Sequence, residues 1–492
     1  MRWTIWRMLL AVLVLSVFIF RLWLAFQTPS FSYDAYFHLR QIESISETGK
    51  PLFNDPLSYQ GRTYVFAPLF YYVLAFFSKL ISTEMVAKII PNLFFSISIL
   101  LVYLIVLRRA KKEWAALLAA FFTALIPQSY AYLINVSPVS LAIPLGLFMI
   151  YCLMDLDNKK NVYYAILCAV FLTLTHALIF LFVFGFILYF CLLALLKHPR
   201  SSKEVEFTLF LFFLAAWFNF ILYKKAFLAQ GLFFLWQNVP APLRAEIFGE
   251  ATFLTALYAI NFIPFLFGIY TVYHTLVVRE TTQYFLFVGL VLGVCTLLLF
   301  SWIQINTGLL FLGYFVVILS SRTFLLFVRY IKKTKFPRLA YSSLVALFIL
   351  FILTTFLPMF LTASHHLKDT PQPDQVAAFQ WIRNHALLEA TVLAAVKEGQ
   401  ALSYYTHRKN IIDTNLFLAH DIHQRYSDLT KIYTSRFQST ALQKINQYHI
   451  NYIYFSNESV HTYGVQQLYF TDNPCFRLLY EKGVQIYGVI CA

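Results

Sequence analysis

The chain has 492 residues, of which 60% are hydrophobic and only 12% are charged. Because soluble domains carry about 25% charged residues, this composition excludes an ordinary soluble protein and predicts a polytopic α-helical membrane protein. The net charge of +15 does not indicate a nucleic-acid partner, since the basic residues cluster in short loops between apolar segments and no nucleic-acid-binding motif accompanies them.

Eleven apolar segments are the predicted membrane spans, since a bilayer core requires about 20 apolar residues per helix. They lie near 4–26, 87–107, 114–127, 139–154, 162–177, 178–196, 206–223, 252–276, 283–301, 309–329 and 338–362. The first is too long for a removed signal peptide, so we expect it to remain as a span. Two further apolar stretches, 64–82 and 226–237, are interpreted as helices at the outer membrane surface.

Basic residues in the loops predict the orientation. Basic loops follow the second, fourth, sixth and tenth spans, so with eleven spans all four lie on one side of the membrane. By the positive-inside rule this side is the cytoplasm. The sequence therefore predicts a multi-pass protein of the cell membrane, with a cytoplasmic N-terminus and an external first loop, 27–86.

Composition changes near residue 363, where charge rises and apolar runs shorten. We divide the chain into a multi-span membrane domain, 1–362, with that first loop, and an extracytoplasmic mixed α/β domain, 363–492. Short β-branched runs predict strands, and Glu481-Lys482-Gly483 predicts the turn of a terminal hairpin. A disulfide between Cys475 and Cys491 is an option if this domain faces an oxidising compartment.

The stretch "SYDAYFHLR", residues 32–40, places an acid among aromatic and basic residues just after the first span. Asp34 has two interpretations: a cap for the following helix, or a carboxylate that binds a metal, orients an acceptor or acts as a base. Tyr36 is equally explained as an interfacial aromatic. The residues after Asp34 predict an amphipathic helix that lies on the membrane surface and ends at Gly49-Lys50-Pro51.

Three more residues on the predicted outer side are candidates. His176 lies at the outer end of a predicted span, where a histidine is either functional or simply packed and hydrogen-bonded. Glu246 and Glu250 are four residues apart, which places them on one face if the segment is a helix. The alternative is that these glutamates are solvated in the loop or paired with Arg244.

Residues 32–70, "SYDAYFHLRQIESISETGKPLFNDPLSYQGRTYVFAPLF", closely resemble the first external loop of the catalytic subunits of prokaryotic oligosaccharyltransferases. These enzymes belong to the C-type class of membrane glycosyltransferases. Residues 395–415, "AVKEGQALSYYTHRKNIIDTN", resemble a second segment of the same family. The resemblance implies a C-type bundle of about 11–13 helices with an extracytoplasmic α/β domain.

The resemblance also implies a function and a site. The family transfers glycans from lipid-linked pyrophosphates, so the expected partners are a polyprenyl-(pyro)phosphate-linked sugar donor, membrane lipid, and a protein or lipid-glycan acceptor. Asp34 and Glu246 are the expected catalytic residues, and the ligands of Mg²⁺ or Mn²⁺ if a metal is used. The expected substrate-binding residues are Tyr36, His38, Arg40, His176, Glu250, Tyr404 and Arg408.

Departures from the family pattern leave three hypotheses open. The second acidic motif is missing from residues 131–144, and Val396-Lys397-Glu398-Gly399 stands where the family has WWDYG, which binds the acceptor hydroxyl. The arginine that holds the lipid phosphate is also not evident. The chain is therefore interpreted as a glycosyltransferase with a different acceptor, with a divergent protein N-oligosaccharyltransferase and a catalytically inactive scaffold or lipid-binding protein as alternatives.

Overall fold

The computed structural model describes residues 5–277, 284–333, 339–472 and 474–491. Up to Lys368 the described chain is mainly helical, and a five-stranded sheet with flanking helices follows. The sequence-based prediction of a polytopic helical bundle followed by an α/β region is confirmed.

Fifteen α-helices lie within the described residues up to Lys368, and they correspond to the predicted apolar segments and to the loops between them. They are α1 (Ile5–Ala25), α2 (Ala35–Thr48), α3 (Leu69–Ser78), α4 (Thr83–Ala110), α5 (Glu113–Ala124), α6 (Val139–Leu153), α7 (Lys159–Thr175), α8 (Ile179–Leu195), α9 (Ser202–Gln230), α10 (Arg244–Phe248), α11 (Phe253–Ile260), α12 (Phe262–Val277), α13 (Phe285–Leu299), α14 (Ile305–Lys333) and α15 (Leu339–Lys368).

Within the described residues, five helical segments are long and apolar enough to cross a membrane: α1, α4, α9, α14 and α15. A bent helical pair that includes α11 and α12 adds a sixth if it is counted as one span. The shorter apolar helices include α5, α6, α8 and α13. The chain is therefore a multi-pass membrane protein, and its orientation stays a prediction.

The predicted continuous span over 252–276 is wrong. The helix breaks at Asn261, whose backbone has φ +92°, and the two parts are bent by 96°. The Asn261 side chain is buried and its amide donates to the carbonyls of Phe122 and Leu125 at 3.5 and 3.3 Å. These bonds tie the break to the C-terminal end of α5, so a neighbouring helix stabilises the position of the bend.

Glycines allow α8 and α13 to pack with their backbones in contact. A Cβ atom on Gly289 of α13 would lie 2.7 Å from the carbonyl oxygen of Gly185 on α8, and one on Gly293 would lie 2.8 Å from the Gly185 nitrogen. Only hydrogen at these positions lets the two backbones touch. Small residues serve the same purpose in membrane helix pairs generally, because close packing replaces the missing hydrophobic driving force.

Loop 27–86 is folded. Helix α2 ends at Gly49, whose φ of +76° suits glycine, as the sequence predicts. Strands β1 (Asn54–Asp55) and β2 (Arg62–Thr63) pair antiparallel, and α3 matches the outer helix predicted within 64–82. The buried face of α2 packs on α3 and on the region after α15 rather than on the membrane surface.

The remaining elements build the α/β region. They are α16 (Pro373–His385), β3 (Thr391–Leu393), α17 (Gly399–Thr406), β4 (Lys409–Asn410), α18 (Ile422–Thr434), α19 (Gln438–Gln447), β5 (Ile450–Phe455), α20 (Asn457–Tyr463), β6 (Phe476–Glu481) and β7 (Gln485–Val489). The sheet order is β4-β3-β5-β7-β6, with β3 parallel to both neighbours and the other pairs antiparallel. The predicted terminal hairpin and the Cys475–Cys491 disulfide are both confirmed.

A buried ion-pair network joins loop 27–86 to this α/β region. Arg62 donates to both carboxylate oxygens of Asp413, one of them at 2.7 Å, and to Asp55 at 3.1 Å. Asp55 also accepts from Arg40 at 2.6 Å and from the Tyr64 hydroxyl at 2.7 Å. The two arginines and two carboxylates balance in charge, which is what allows them to be buried together.

Candidate active site

Asp34 directly precedes α2 and contacts the α/β region. It holds the N-cap position, but its side chain makes no capping hydrogen bond, so the capping interpretation is wrong for the side chain. Instead Asp34 Oδ1 accepts a hydrogen bond from Thr414 Oγ1 at 2.8 Å. Thr414 directly follows Asp413, so the buried network around Arg62 positions the hydroxyl that contacts Asp34.

The Asp34 carboxylate lies where loop 27–86 contacts the α/β region. Its side chain is exposed, yet surrounding protein atoms desolvate the carboxyl and raise its pKa. The Thr414 hydrogen bond and the charge of Lys397 oppose this rise. Because a carboxylate with a raised pKa is a stronger base, this environment suits proton abstraction from an acceptor.

Lys397 lies close enough to Asp34 for their charges to interact, in a 3₁₀ turn over Val396–Glu398. Its ammonium lies 2.7 Å from Asp369 Oδ1 and 3.5 Å from Glu458 Oε2, and 5.3 Å from the centre of the Tyr33 ring. Burial alone would lower the pKa of Lys397, but its bonds to Asp369 and Glu458 raise it above the usual value. The side chain is therefore a permanent cation among carboxylates.

Glu246 belongs to this group. It lies on α10 and interacts electrostatically with Glu458, Lys397 and Asp34. Glu250 does not share a helix face with it, which corrects the prediction: α10 ends at Phe248, and Gly249 follows with φ +81°. A residue in that left-handed region stops the helix before the second glutamate.

His38 and His176 form a separate polar pair. His38 lies one helical turn after Asp34, and its Nδ1 is 2.8 Å from the Tyr71 hydroxyl. Burial, together with the neighbouring His176, lowers the pKa of His38 to about 3. His176 follows the end of α7, and its own Nδ1 accepts from the backbone N–H of Leu178 at 3.1 Å. His38 is therefore a neutral hydrogen-bonding group near pH 7. The substrate-binding roles expected for His38, His176 and Glu250 stay predictions.

The other predicted substrate-binding residues have structural partners. Arg40 is paired with Asp55 in the buried network. The Tyr404 hydroxyl donates to Glu43 at 2.7 Å, and its ring packs 5.2 Å from that of Tyr36.

Arg408 is buried, and its side chain donates to the main-chain carbonyls of Arg383, Ala386 and Thr406. These bonds fasten the end of α16 to α17, so the Arg408 guanidinium has a structural role. A substrate-binding role for Tyr36, Arg40, Tyr404 and Arg408 stays a prediction.

The carboxylates do not form a metal site as they stand. Among the described residues, no group of three or more His, Cys, Asp or Glu side chains is arranged to hold a metal ion. Asp34 and Glu246, the expected ligands, share their surroundings with the ammonium of Lys397. A positive charge in that place opposes a divalent cation, so the residues present do not fit Mg²⁺ or Mn²⁺.

Four residues of this site are missing from the sequence-based expectation: Lys397, Asp369, Glu458 and Thr414. The sequence signal for Lys397 was its place in the segment that corresponds to WWDYG, where it appeared only as a loss of the family motif. Asp369 directly follows α15, and an acid at the end of a membrane helix is a candidate functional residue. Nothing in the local sequence distinguishes Glu458 or Thr414.

Comparison with known proteins places this site in a known fold. No family model matches the chain. The chain is 35% identical over 102 residues to the dolichyl-phosphooligosaccharide-protein glycotransferase 2 of Archaeoglobus fulgidus, a stretch that is 20% of this chain and 17% of the relative. The match thus spans less than a fifth of that curated relative.

Two solved structures match far more of the chain. The oligosaccharyltransferase AglB from Archaeoglobus fulgidus, in complex with an inhibitory peptide and a dolichol-phosphate, has a TM-score of 0.60 at 14% identity over 90% of this chain and 69% of its own. ArnT from Cupriavidus metallidurans, bound to undecaprenyl phosphate, has a TM-score of 0.58 at 12% identity over 99% of this chain and 98% of its own.

Both of these proteins are C-type glycosyltransferases, and the chain described here therefore has the C-type glycosyltransferase fold. Within this class its fold is similar to that of AglB over most of the chain and to that of ArnT over nearly the whole of both chains. The resemblance seen in residues 32–70 is confirmed at the level of the fold.

Proposed function

We propose that this protein is a glycosyltransferase that moves a sugar or glycan from a polyprenyl-(pyro)phosphate-linked donor to an acceptor at the outer membrane face. The observation that carries the proposal is the exposed carboxylate of Asp34, which lies where loop 27–86 contacts the α/β region through Thr414. The fold supports it, since similar structures were solved with dolichol-phosphate and undecaprenyl phosphate. The Cys475–Cys491 disulfide supports an extracytoplasmic α/β region.

Asp34 is the proposed general base. The acceptor oxygen or nitrogen attacks the anomeric carbon of the donor while Asp34 takes the proton from the attacking atom. The bond between that carbon and the phosphate oxygen breaks, and the phosphate leaves with the electron pair. General-base catalysis of this kind contributes about 10²–10⁴-fold to the rate.

The acceptor proposed here is not an Asn-x-Ser/Thr peptide. The segment that corresponds to WWDYG contains no tryptophan, and its Glu398 is buried, accepting hydrogen bonds from Gln375 and Ser456 at 2.9 Å each. These bonds hold Glu398 inside the α/β region. Lys397 is the residue of this segment whose charge acts on Asp34, and an ammonium has no acceptor for a hydroxyl proton.

The test uses purified protein in proteoliposomes with radiolabelled polyprenyl-phosphate sugars and membrane-extract acceptors. We expect transfer by the wild type and a loss of about 10²–10⁴-fold for Asp34→Asn. The matched control is Asp157→Asn. Asp157 is an exposed carboxylate that pairs with Lys203 and lies outside loop 27–86, which carries Asp34. Full activity of Asp34→Asn would refute the assignment of the base.

Two other outcomes favour the alternatives. Glycosylation of an Asn-x-Ser peptide would identify a divergent N-oligosaccharyltransferase. Tight binding of polyprenyl phosphate without turnover of any donor would identify a lipid-binding scaffold with an inactive site.

A further inference from the structure

We propose that Lys397 is the built-in cation of this site, so that its ammonium supplies the positive charge for which a divalent metal ion would otherwise be needed. This inference rests on the proposed glycosyltransferase function and specifies its chemistry. It predicts transfer that needs neither Mg²⁺ nor Mn²⁺.

The first observation is the set of acids around the ammonium. Lys397 pairs with Asp369 at 2.7 Å and with Glu458 at 3.5 Å, and Asp34 and Glu246 both lie within reach of its charge. These four carboxylates come from four separate parts of the chain. Asp34 directly precedes α2 and Asp369 directly follows α15, whereas Glu246 lies on α10 and Glu458 on α20. A single ammonium is thus the common neighbour of carboxylates that would otherwise repel one another.

The second observation is that a buried scaffold holds Lys397 in place. The next residue, Glu398, is fully buried and accepts from Gln375 Nε2 and Ser456 Oγ at 2.9 Å each. Gln375 also accepts from the Tyr33 hydroxyl at 3.0 Å, which connects this turn to the residue before Asp34. The cation and the proposed base are therefore held in one hydrogen-bonded frame.

The third observation concerns space for the turn. A Cβ atom on Gly399 would lie 2.4 Å from the Ile412 carbonyl oxygen and 2.7 Å from the Asp413 Cβ. Glycine therefore lets the Lys397 turn pack directly on the segment that carries Thr414. Because Thr414 in that segment also contacts Asp34, this packing is a second structural connection between Lys397 and Asp34.

The chemistry follows from this geometry. An ammonium has three N–H donors, of which Asp369 and Glu458 engage two. We assign the third to the leaving phosphate oxygen, whose negative charge grows as its bond to the sugar breaks. Lys397 would then stabilise the leaving group that Asp34 helps to displace, with no metal ion between them.

The experiment measures Mn²⁺ binding to the purified full-length protein by electron paramagnetic resonance, without any need for turnover. We expect no stoichiometric Mn²⁺ binding by the wild type at millimolar concentration and unchanged behaviour in Lys397→Arg, which keeps the charge. Lys397→Ala leaves the four carboxylates without their cation, so we expect its Mn²⁺ affinity to be at least about tenfold higher than that of the wild type.

Stoichiometric Mn²⁺ binding by the wild type that is lost in Asp34→Asn would overturn the proposal, and this arm requires no lysine variant to fold. Equal Mn²⁺ affinity of the wild type and a folded Lys397→Ala would also overturn it. Where transfer is detected, it should persist in EDTA. Absence of transfer with the expected Mn²⁺ pattern would count against the proposed function alone.

Discussion

Removing the charge of Asp413 should destabilise the protein strongly, because its carboxylate is one of two that neutralise two buried arginines. Asp413→Asn leaves Arg40 and Arg62 with only Asp55 between them, and Arg62 and Asp413 are both buried. Leaving a buried charge without its partner costs about 3–5 kcal/mol. For a protein of several hundred residues this corresponds to a fall in Tm of roughly 10 °C.

The assay is thermal unfolding of the purified protein in detergent, followed by tryptophan fluorescence. Asp157→Asn is the control, because it removes the same charge from an exposed pair with Lys203 and should leave Tm unchanged. The double variant Arg62→Gln/Asp413→Asn should be more stable than the sum of the single losses indicates, since it removes the charges together. If Asp413→Asn unfolds at the temperature of the wild type, the network does not hold loop 27–86 to the α/β region.

Three further predictions test the site and the bundle. Burial raises the pKa of Glu398 to about 8. The folded protein therefore keeps a proton that the unfolded chain loses above about pH 4.5, so the stability of the wild type should fall between pH 5 and 8. The Tm of Glu398→Gln, which cannot lose this proton, should vary less over that range. Equal pH dependence of the two proteins would contradict this. Thr414→Val removes a hydrogen bond that lowers the pKa of Asp34, so the acid limb of the pH–rate profile should move to higher pH, while Thr414→Ser should keep the wild-type profile. Gly289→Leu should force α13 away from Gly185 and lower Tm by at least several degrees, and a Tm within 1 °C of the wild type would exclude that contact as a packing constraint.

Local pattern predicted much of the architecture. Apolar length located the membrane helices, Gly49 marked the end of α2, and the turn at Gly483 marked the terminal hairpin. Each of these features depends on residues that are neighbours in the sequence, so their physical cause is visible there. The break at Asn261 was not predicted, because its stabilising bonds go to carbonyls on α5 that are far away in the chain.

The candidate site could be predicted only in part for the same reason. Asp34 stands in a distinctive stretch, and the resemblance of residues 32–70 drew attention to it. Lys397, by contrast, gains its meaning from Asp369 and Glu458, which lie 28 residues before it and 61 residues after it in the chain. No spacing rule connects residues so far apart in the sequence. Only the folded α/β region shows that the segment without the WWDYG motif places the cation Lys397 among carboxylates.

The charge of the site also bears on which donor it uses. A donor linked through one phosphate carries one negative charge, whereas a pyrophosphate-linked donor carries two, and each leaving group gains one more when its bond to the sugar breaks. The single ammonium of Lys397, already shared with Asp369 and Glu458, compensates the charge of a phosphate better than that of a pyrophosphate. The carboxylates of Asp34 and Glu246 also repel the more negative donor more strongly. We therefore expect polyprenyl-phosphate sugars to be used in preference to pyrophosphate-linked glycans, measured as the ratio of kcat/KM for the two donor types in EDTA. A preference for the pyrophosphate donor under these conditions would show that cations other than Lys397 compensate the leaving group.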